Sequence, residues 1–407
     1  MPKLPAELRF DSIDLLRGYS ILGVILLHSA IFLRGSGHPV GMSLSPRLRF
    51  IIFSNGGNGV STFFAISGFL ITFISLRRFG SLVRVRPLKF YRIRFARIAP
   101  PLLFLLAILS VLHFADIKGF HVKPAVGTLP QALFAALTFQ VNWFEAVHGW
   151  LPPAWTVLWT LSVEENFYLF FPLLCVALLK KQWTRPIFFV LLFALVLFGP
   201  FARMPWYTRN AIWSYQSYLG NVDNIALGCL TAVLADRLSR ISGFAQSQWP
   251  RICQWIGAVL ILFVACEWPR ALFRPVGRSE TDVTVLGVGT CLVMLGSVLR
   301  NRSGNIWSFP MRWLGKHSYE VYLTHEFAVM IVLGEFRRLR QGPVALWIGG
   351  TLLAATLLGF LMARFLSEPA NLALRGAKDP LAQRPVELVG SHRRRNRERR
   401  YFAVRGA

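Results

Sequence analysis

The ionisable residues Asp14, Arg17 and His28 lie within one apolar stretch that runs from residue 9 to residue 33. Guanidinium groups bind anions, and imidazoles bind and release protons near neutral pH. On an α-helix, residues 17 and 28 differ in direction by only about 20° and lie roughly 16 Å apart along the axis. Asp14 lies one turn before Arg17 on the same side. This spacing suits a long, thin, anionic ligand that lies along one face of the helix.

This stretch is long enough to cross a bilayer, which takes about 20 residues. Ionisable side chains in a spanning helix are unfavourable by a few kcal/mol each, and they usually face a protein interior or a wet cavity. We therefore expect the first helix to line a site. The alternative is that Arg17 extends to the lipid headgroups and that His28 is a hydrogen-bonded packing residue.

The composition predicts a membrane protein. The chain of 407 residues is 54% hydrophobic and 16% charged, and its mean hydropathy is +0.48. Soluble domains are less apolar and carry about 25% charged residues. We predict an all-α, polytopic fold with about ten transmembrane helices. The apolar windows are 12–33, 57–76, 99–114, 155–179, 186–200, 218–235, 252–266, 281–299, 318–334 and 345–366.

The basic residues predict the orientation. Lys and Arg are in excess on the side of the membrane that holds the N-terminus, which places both termini in the cytoplasm. The net charge of +26 is concentrated beside the predicted spans, so we expect membrane lipids as partners and no nucleic acid. We divide the chain into a transmembrane domain, 1–369, and a basic cytoplasmic tail, 370–407, which we expect to be disordered.

Neither a removable leader nor a metal site is expected from the sequence. No small-residue cleavage site follows the first apolar segment, so the first helix is expected to remain. The five cysteines have neither metal-ligand nor disulfide spacing, and we expect small, buried, hydrophobic residues. They are Cys175, Cys229, Cys253, Cys266 and Cys291.

Polar residues also mark the second and third windows. Ser67 and Gly68 are small enough to let another backbone or a ligand come close. Arg94 and Arg97 are one helical turn apart, just before the prolines at 100–101 that we expect to begin the third span. Two guanidinium groups in this arrangement can bind one phosphate group, although a cytoplasmic loop beside a span is basic in any case.

The window 155–179 carries two adjacent glutamates near its middle, Glu164 and Glu165. Neighbouring residues point about 100° apart on a helix, so these carboxylates cannot share one role. Glu164 and Tyr168 are one turn apart and can face the same cavity as the first helix. The preceding outer segment, 115–154, is long and includes a stretch, 129–144, that can form an interfacial or re-entrant helix.

Two later windows add further candidates. Asp223 lies in the outer part of the window 218–235. Tyr322 and His325 share one face of the window 318–334 with Ser318, and Glu326 lies just off that face.

Together these segments resemble the acyltransferase-3 family of integral membrane O-acyltransferases, in a form without an extracytoplasmic hydrolase-like domain. The matching motifs follow the family order from residue 11 to residue 369, which is nearly the whole apolar part of the chain. They are IDLLRG with His28 after it, FFAISGFLIT, RFARIAPP, WTLSVEENFYLFFP, the run from Asp223 through LGCLTAVLA, LGKHSYEVYLTH and the final SEP.

The resemblance implies about ten helices around a transmembrane tunnel in the bacterial inner membrane. It implies acyl-CoA, with acetyl-CoA as the expected form, as a cytoplasmic donor substrate, and no bound cofactor. The acceptor would be a hydroxyl of an extracytoplasmic glycan, such as a lipopolysaccharide, an exopolysaccharide or another glycolipid. The residues that it implies are Arg17 and His28 for catalysis, Arg94 and Arg97 for the phosphates of acyl-CoA, and Glu164, Tyr168 and Ser67 for polar positions near the tunnel. We also assign Ser67 and Gly68 to the acyl-CoA site, and Tyr168, Asp223, Tyr322 and His325 to the acceptor site or the tunnel lining.

Transfer to a hydroxyl requires a base with a pKa near neutrality, and histidine is the usual choice. We expect His28 to deprotonate the acceptor hydroxyl, either directly or through an acylated intermediate. Glu164 or Asp14 would support the imidazole. Arg17 would hold the donor or stabilise developing negative charge.

Two other classes of function fit the same charges. A transporter for an anionic metabolite would also place ionisable residues along its path, but the chain has no paired repeats. A non-catalytic scaffold of a polysaccharide assembly complex is the second alternative, and the sequence indicates neither its partners nor an oligomeric state. Four aromatic residues could stack on an acceptor sugar, although aromatics are common at membrane interfaces: Trp143, Trp150, Trp206 and Tyr207.

Overall fold

The computed structural model describes residues 10–204, 210–266, 281–301 and 304–375. Every regular element within these ranges is helical, which confirms the all-α prediction. We number the α-helices in chain order. They are α1 (Asp11–Gly35), α2 (Pro46–Phe53), α3 (Gly56–Phe79), α4 (Pro87–Phe114), α5 (Leu129–Leu137), α6 (Val141–His148), α7 (Pro153–Thr156), α8 (Trp159–Leu179), α9 (Arg185–Ala202), α10 (Ala211–Gln216), α11 (Tyr218–Leu238), α12 (Trp249–Ala265), α13 (Asp282–Arg300), α14 (Phe309–Lys316), α15 (Ser318–Leu339), α16 (Val344–Met362) and α17 (Glu368–Arg375).

Eight segments of the described chain are long and apolar enough to cross a membrane, as expected for an integral membrane protein. They coincide with eight of the predicted windows. The other two windows are also helical. Of these, α12 has only 17 residues, and α15 has 22 residues but carries charged groups in its apolar part. The eight segments are Asp11–Gly35, Gly56–Phe79, Pro87–Phe114, Pro153–Leu179, Gln182–Ala202, Ala211–Leu238, Asp282–Arg300 and Val344–Arg375.

The third span begins earlier than predicted. Helix α4 has 28 residues and starts at Pro87, so Pro100 and Pro101 lie inside it. The prediction that these prolines begin the span was therefore wrong. A proline inside a helix removes one backbone hydrogen bond, but such breaks are tolerated in membrane helices when neighbouring helices supply other partners. The early start makes Arg94 and Arg97 part of the helix rather than of a loop.

Glycines set the closest helix crossings around α1, α3 and α11. A Cβ atom at Gly68 of α3 would collide with the backbone carbonyl of Ile225 in α11, and one at Gly228 would collide with the carbonyl of Ala65 in α3. Helix α14 approaches α1 in the same way, because Gly315 faces the carbonyl of Asp14. Small residues are the usual means by which membrane helices come this close.

The segment between the third and fourth spans forms two short helices instead of one. Phe139, with a φ of 56°, lies between α5 and α6 and turns the chain. Both helices bury one side, and large apolar residues such as Phe134, Trp143 and Val147 are exposed on the other.

At the C-terminal end of the described chain, residues 370–375 continue α17, so the predicted disordered tail does not begin at 370. Its remaining residues, 376–407, lie outside the described part.

We predict that Gly68→Ala lowers the unfolding temperature in detergent, because the added methyl group forces α3 away from α11. Overpacking of this kind destabilises a protein by about 1–3 kcal/mol. Thermal unfolding of the purified full chain measures the effect. The matched control is Gly349→Ala in α16, where an added Cβ meets no atom within 4 Å. Equal unfolding temperatures for the two variants would contradict the proposed crossing.

Candidate functional site

A cavity lies among α1, α3, α4, α8 and α15. Its volume is about 140 Å³, roughly ten times the space that one water molecule requires. Most of the wall is apolar, but six arginine and glutamate residues reach it. They are Arg17, Arg78, Arg94, Arg97, Glu164 and Glu165.

The polar part of the wall centres on Tyr168 of α8. The Tyr168 hydroxyl donates to Ser67 Oγ at 2.7 Å, and it lies 3.4 Å from Glu164 Oε2. The Arg94 guanidinium stacks over the Tyr168 ring, with its Cζ 3.8 Å from the ring centroid, a distance typical of cation–π contacts. Three different helices therefore bring together the candidates Ser67, Arg94, Glu164 and Tyr168.

Arg17 faces this cavity rather than the lipid. Its side chain is only 13% exposed, and Nη1 lies 3.8 Å from Asp14 Oδ1 on the preceding turn. The alternative that Arg17 extends to the headgroups does not fit this position. The guanidinium is placed to hold a negatively charged or strongly polar part of a ligand inside the protein.

Three buried polar atoms on the cavity wall have no hydrogen-bond partner within the described part of the chain. They are Glu165 Oε1, Arg94 Nε and Ser318 Oγ. Buried polar atoms are nearly always paired, so a group of unpaired ones on one wall indicates that a ligand or water supplies the partners.

His28 belongs to a second cluster, between α1 and α15. Its Nδ1 contacts Oε1 of Glu326 and lies 3.2 Å from Nε2 of His325. A carboxylate can only accept a hydrogen bond, so we assign the His28 proton to Nδ1. This leaves Nε2 of His28 with a free lone pair, the form in which an imidazole acts as a base.

Helix α15 connects the cavity to the histidine cluster. Tyr322 lines the cavity, and its backbone oxygen lies 2.6 Å from Nδ1 of His325. This contact makes Nδ1 of His325 the donor and leaves its Nε2 to face His28 as an acceptor. The Tyr322 side chain is fixed as well, because its hydroxyl donates to Val157 O at 3.1 Å and accepts from Thr160 Oγ1 at 3.2 Å.

The same cluster has the donor set of a metal site. Nδ1 of His28, Nε2 of His325 and a carboxylate oxygen of Glu326 all lie within 4.8 Å of one another. Two imidazoles and a carboxylate suit zinc and other divalent transition metals. The sequence does not suggest this set, because its members come from the first and the ninth apolar windows.

Comparison with known proteins identifies the family. The model of the Acyltransferase domain family, acyltransferase-3, matches residues 10–364. The chain belongs to this family. The prediction of an acyltransferase is thereby confirmed.

Two relatives of this family member have named activities. The present chain is 24% identical to O-acetyltransferase OatA of Staphylococcus aureus over an alignment of 398 residues, which covers 91% of this chain and 58% of that protein. It is also 24% identical to peptidoglycan O-acetyltransferase OatA of Listeria monocytogenes over 343 residues, 77% of this chain and 48% of that protein. The chain thus spans about half the length of these relatives. No solved structure matches it significantly.

The carboxylate beside His28 differs from the predicted one. Glu326 makes the contact, whereas Asp14 lies beside Arg17 and Glu164 lies beside Tyr168 in the cavity. Helical periodicity relates residues on one helix only, so it cannot identify a partner on α15. The sequence did contain a signal for the role of Glu326, because an acidic residue next to a histidine is unusual in an apolar window.

Three residues that were predicted for donor binding or for the acceptor and tunnel lining are not among those that line the cavity: Gly68, Asp223 and His325. Gly68 packs against Ile225 of α11, which accounts for its small size without a ligand. Asp223 is fully buried, with Oδ2 3.0 Å from Arg203 Nη2 and 2.5 Å from Thr284 Oγ1. These contacts connect α9, α11 and α13. Asp223 is not among the residues that line the cavity, and its role at the acceptor or the tunnel stays a prediction.

The segment between the third and fourth spans contains a buried acid that the sequence analysis missed. The Oε1 of Glu145 accepts hydrogen bonds from Leu151 N at 3.0 Å and from Thr156 Oγ1 at 2.6 Å, and its Oε2 accepts from Gln216 Nε2 at 2.9 Å. Burial raises the pKa of Glu145 to about 7, and the hydrogen bonds offset part of that rise. The carboxyl group therefore joins α6, α7 and α10.

Two of the four aromatics proposed for the acceptor lie in this same segment between the third and fourth spans. Trp143 is 52% exposed and Trp150 is 51% exposed, so both could contact a sugar or the membrane interface. Trp206 and Tyr207 lie outside the described residues.

We predict that stability falls as the pH rises from about 4.5 to about 7, because in this range the folded state holds a proton on Glu145 that the unfolded state, with a pKa near 4.5, has already lost. Glu145→Gln should flatten this dependence. The new amide can donate to Gln216 Oε1, which has no partner within the described chain, once the Gln216 amide flips. Thermal unfolding at several pH values measures the slope.

The control for this slope is Glu335→Gln, which removes a carboxylate whose side chain is 47% exposed. This variant should retain the pH dependence of the unmodified chain. If the Glu145→Gln variant also retains the full slope, the group responsible lies elsewhere.

Proposed function

We propose that the protein is a membrane O-acetyltransferase that moves an acetyl group from cytoplasmic acetyl-CoA to a hydroxyl of an extracytoplasmic cell-envelope glycan. The main support is that a cavity with four arginines in its wall lies next to a carboxylate-paired histidine: Tyr322 lines the cavity, its backbone oxygen contacts His325, and His325 contacts His28. Family membership supports acyl transfer. The names of the relatives support O-acetylation.

The proposed topology places both termini in the cytoplasm and the protein in the bacterial inner membrane. Ten helices would span the bilayer, with α12 and α15 added to the eight long apolar segments. Residues 1–369 would form the catalytic domain, and the basic tail would lie against cytoplasmic lipids. Arg94 and Arg97 then lie toward the cytoplasmic half of α4. His28 lies about 16 Å further along α1 than Arg17, toward the acceptor side.

In the proposed reaction, the phosphopantetheine arm of the donor extends through the cavity past Arg17. Nε2 of His28 accepts the proton of the acceptor hydroxyl while the hydroxyl oxygen attacks the thioester carbonyl carbon. The carbon–sulfur bond then breaks, and the imidazolium returns the proton to the departing thiolate. The products are the acetyl ester and free CoA, and CoA never crosses the membrane.

Glu326 and His325 would be positioning residues in this reaction. The Glu326 carboxylate holds the His28 proton on Nδ1, which directs Nε2 to the reactants, and it stabilises the imidazolium that forms. His325 presents a lone pair to the same Nδ1 and is itself held by the backbone of Tyr322. A metal ion at this cluster would take the Nδ1 lone pair and place the proton on Nε2, so the proposed reaction uses the metal-free form.

The proposed acceptor is a glycan in the cell envelope. Peptidoglycan is the first to test, because the Listeria relative is named for it, although that protein extends well beyond the matched part. The exposed Trp143 and Trp150 provide aromatic faces on which a sugar ring can stack.

The direct test is turnover of acetyl-CoA by the purified full chain in lipid nanodiscs, with peptidoglycan fragments as acceptor. We expect CoA release that depends on the acceptor and an O-acetyl group on the glycan by mass spectrometry. A transporter would produce neither product. A scaffold would produce neither alone, and deletion of its gene would remove the polymer rather than its acetyl groups.

We predict that His28→Ala lowers kcat by roughly 10²–10⁴-fold, since it removes the general base. Glu326→Gln should lower kcat by roughly 10²-fold while the KM for acetyl-CoA stays the same, because the amide can still accept from Nδ1–H but carries no charge to stabilise the imidazolium. The measurement is steady-state kinetics, with unfolding temperatures to verify folding.

Glu335→Gln is the matched control, because it neutralises an exposed acid on the same helix, α15. It should leave both kinetic parameters unchanged. A Glu326→Gln variant with normal kcat would refute the role of the carboxylate, and a fully active His28→Ala variant would refute the mechanism.

A further inference from the structure

The cluster of His28, His325 and Glu326, between α1 and α15, brings three metal-ligand atoms within 4.8 Å of one another. Nδ1 of His28 lies 3.2 Å from Nε2 of His325, and that Nε2 lies 3.7 Å from Oε1 of Glu326. Ligand atoms that bind one zinc ion tetrahedrally at about 2.1 Å lie roughly 3.4 Å apart. The carboxylate contacts Nδ1 of His28 directly, so it must rotate away from the ring to admit an ion.

His325 is held in the form that a metal ligand requires. Its Nδ1 lies 2.6 Å from the backbone oxygen of Tyr322, a contact that places the proton on Nδ1 and leaves the Nε2 lone pair facing His28. Histidines that bind metals almost always donate their other N–H group to a carbonyl or a carboxylate in this way. The lone pair of His325 is therefore oriented before an ion arrives.

The charge of the cluster also favours a cation. Within the described residues, Glu326 pairs with the two histidines and with no lysine or arginine. When both imidazoles are neutral, the cluster carries one uncompensated negative charge, which is unfavourable in an apolar interior. The side chains of His325 and Glu326 are buried, whereas that of His28 is 26% exposed. The cluster is thus closed on the α15 side and accessible on the His28 side.

We propose that this cluster is an inhibitory site for a divalent transition metal, with zinc as the ion that the ligands fit best. The binding of the ion depends on the three side chains alone, and the inhibition rests on the proposed function. The metal takes the lone pair of Nδ1 of His28, and the displaced proton moves to Nε2 of the same ring. Nε2 then has no lone pair with which to accept the proton of the acceptor hydroxyl.

The first test measures zinc binding without reference to activity. The purified full chain in nanodiscs is freed of metal with a chelator and titrated with Zn²⁺ by calorimetry. We expect one ion per chain and a higher unfolding temperature, because the two helices form the site only in the folded chain. His325→Gln and Glu326→Gln should each weaken binding by about 100-fold or more, since loss of even a supporting partner of a ligand weakens it roughly 10–100-fold.

The matched control is His121→Gln, which removes a histidine from a second pair of imidazoles with an acid beside it. The rings of His113 and His121 stack with their centroids 4.5 Å apart, and Nδ1 of His121 lies 3.2 Å from Asp116 Oδ1. This variant should bind zinc as the unmodified chain does. Unfolding temperatures without zinc verify that all three variants are folded, and if one ligand variant fails to fold, the other decides.

The second test measures the effect of zinc on acetyl transfer by the unmodified chain. Saturating zinc should lower kcat by roughly 10²-fold or more, as for loss of the general base. Half-inhibition should occur at the free zinc concentration that equals the Kd from calorimetry. Magnesium prefers oxygen ligands and should have no effect. The acetylated glycan is measured by mass spectrometry, because the thiol of released CoA itself binds zinc.

Three results would overturn the proposal: no zinc binding by the unmodified chain, equal affinity in the unmodified chain and both ligand variants, which would place the ion elsewhere, or an unchanged or higher kcat with zinc bound at the cluster. The calorimetry separates this proposal from the proposed function. If the chain binds zinc through these residues but transfers no acetyl group in its metal-free form, the metal site stands and the enzymatic assignment fails.

Discussion

The fold depends on the unfavourable free energy of placing ionisable groups in a lipid bilayer. Arg17 and His28 lie on the most N-terminal span, and a single helix in lipid could not shield either of them. The structure encloses Arg17 with α3, α4, α8 and α15, and it pairs His28 with an acid on α15. Enclosure of these charges creates the cavity and the histidine cluster together, so the site is a consequence of how the charges are accommodated.

Helix α15 is central to this arrangement because it contributes to both regions. Its first turns supply Ser318 and Tyr322 to the cavity, and the next turn supplies His325 and Glu326 to His28. One rigid helix therefore sets the distance between the place where a donor can bind and the place where a proton can move. This also explains its mixed composition, since a helix that contributes acids and histidines to an interior site cannot be uniformly apolar.

Other parts of the molecule keep these helices in place without touching the cavity. The crossing at Gly68 and Gly228 holds α3 against α11, and the buried pair of Arg203 and Asp223 joins α9, α11 and α13. A buried ion pair contributes little net stability, but loss of one partner leaves an uncompensated charge. We regard these contacts as the frame that holds α3 and its Ser67 at the cavity wall.

The sequence by itself determined the apolar spans, the all-α membrane class, the family and the faces of single helices. It correctly placed Arg17 inward, and Glu164 and Tyr168 at one cavity with it, because hydropathy and helical period are local properties. Only the tertiary structure decided that Glu326 pairs with His28. The physical reason is that side chains from distant segments meet through helix packing, which depends on the shapes of all the helices at once and has no local pattern.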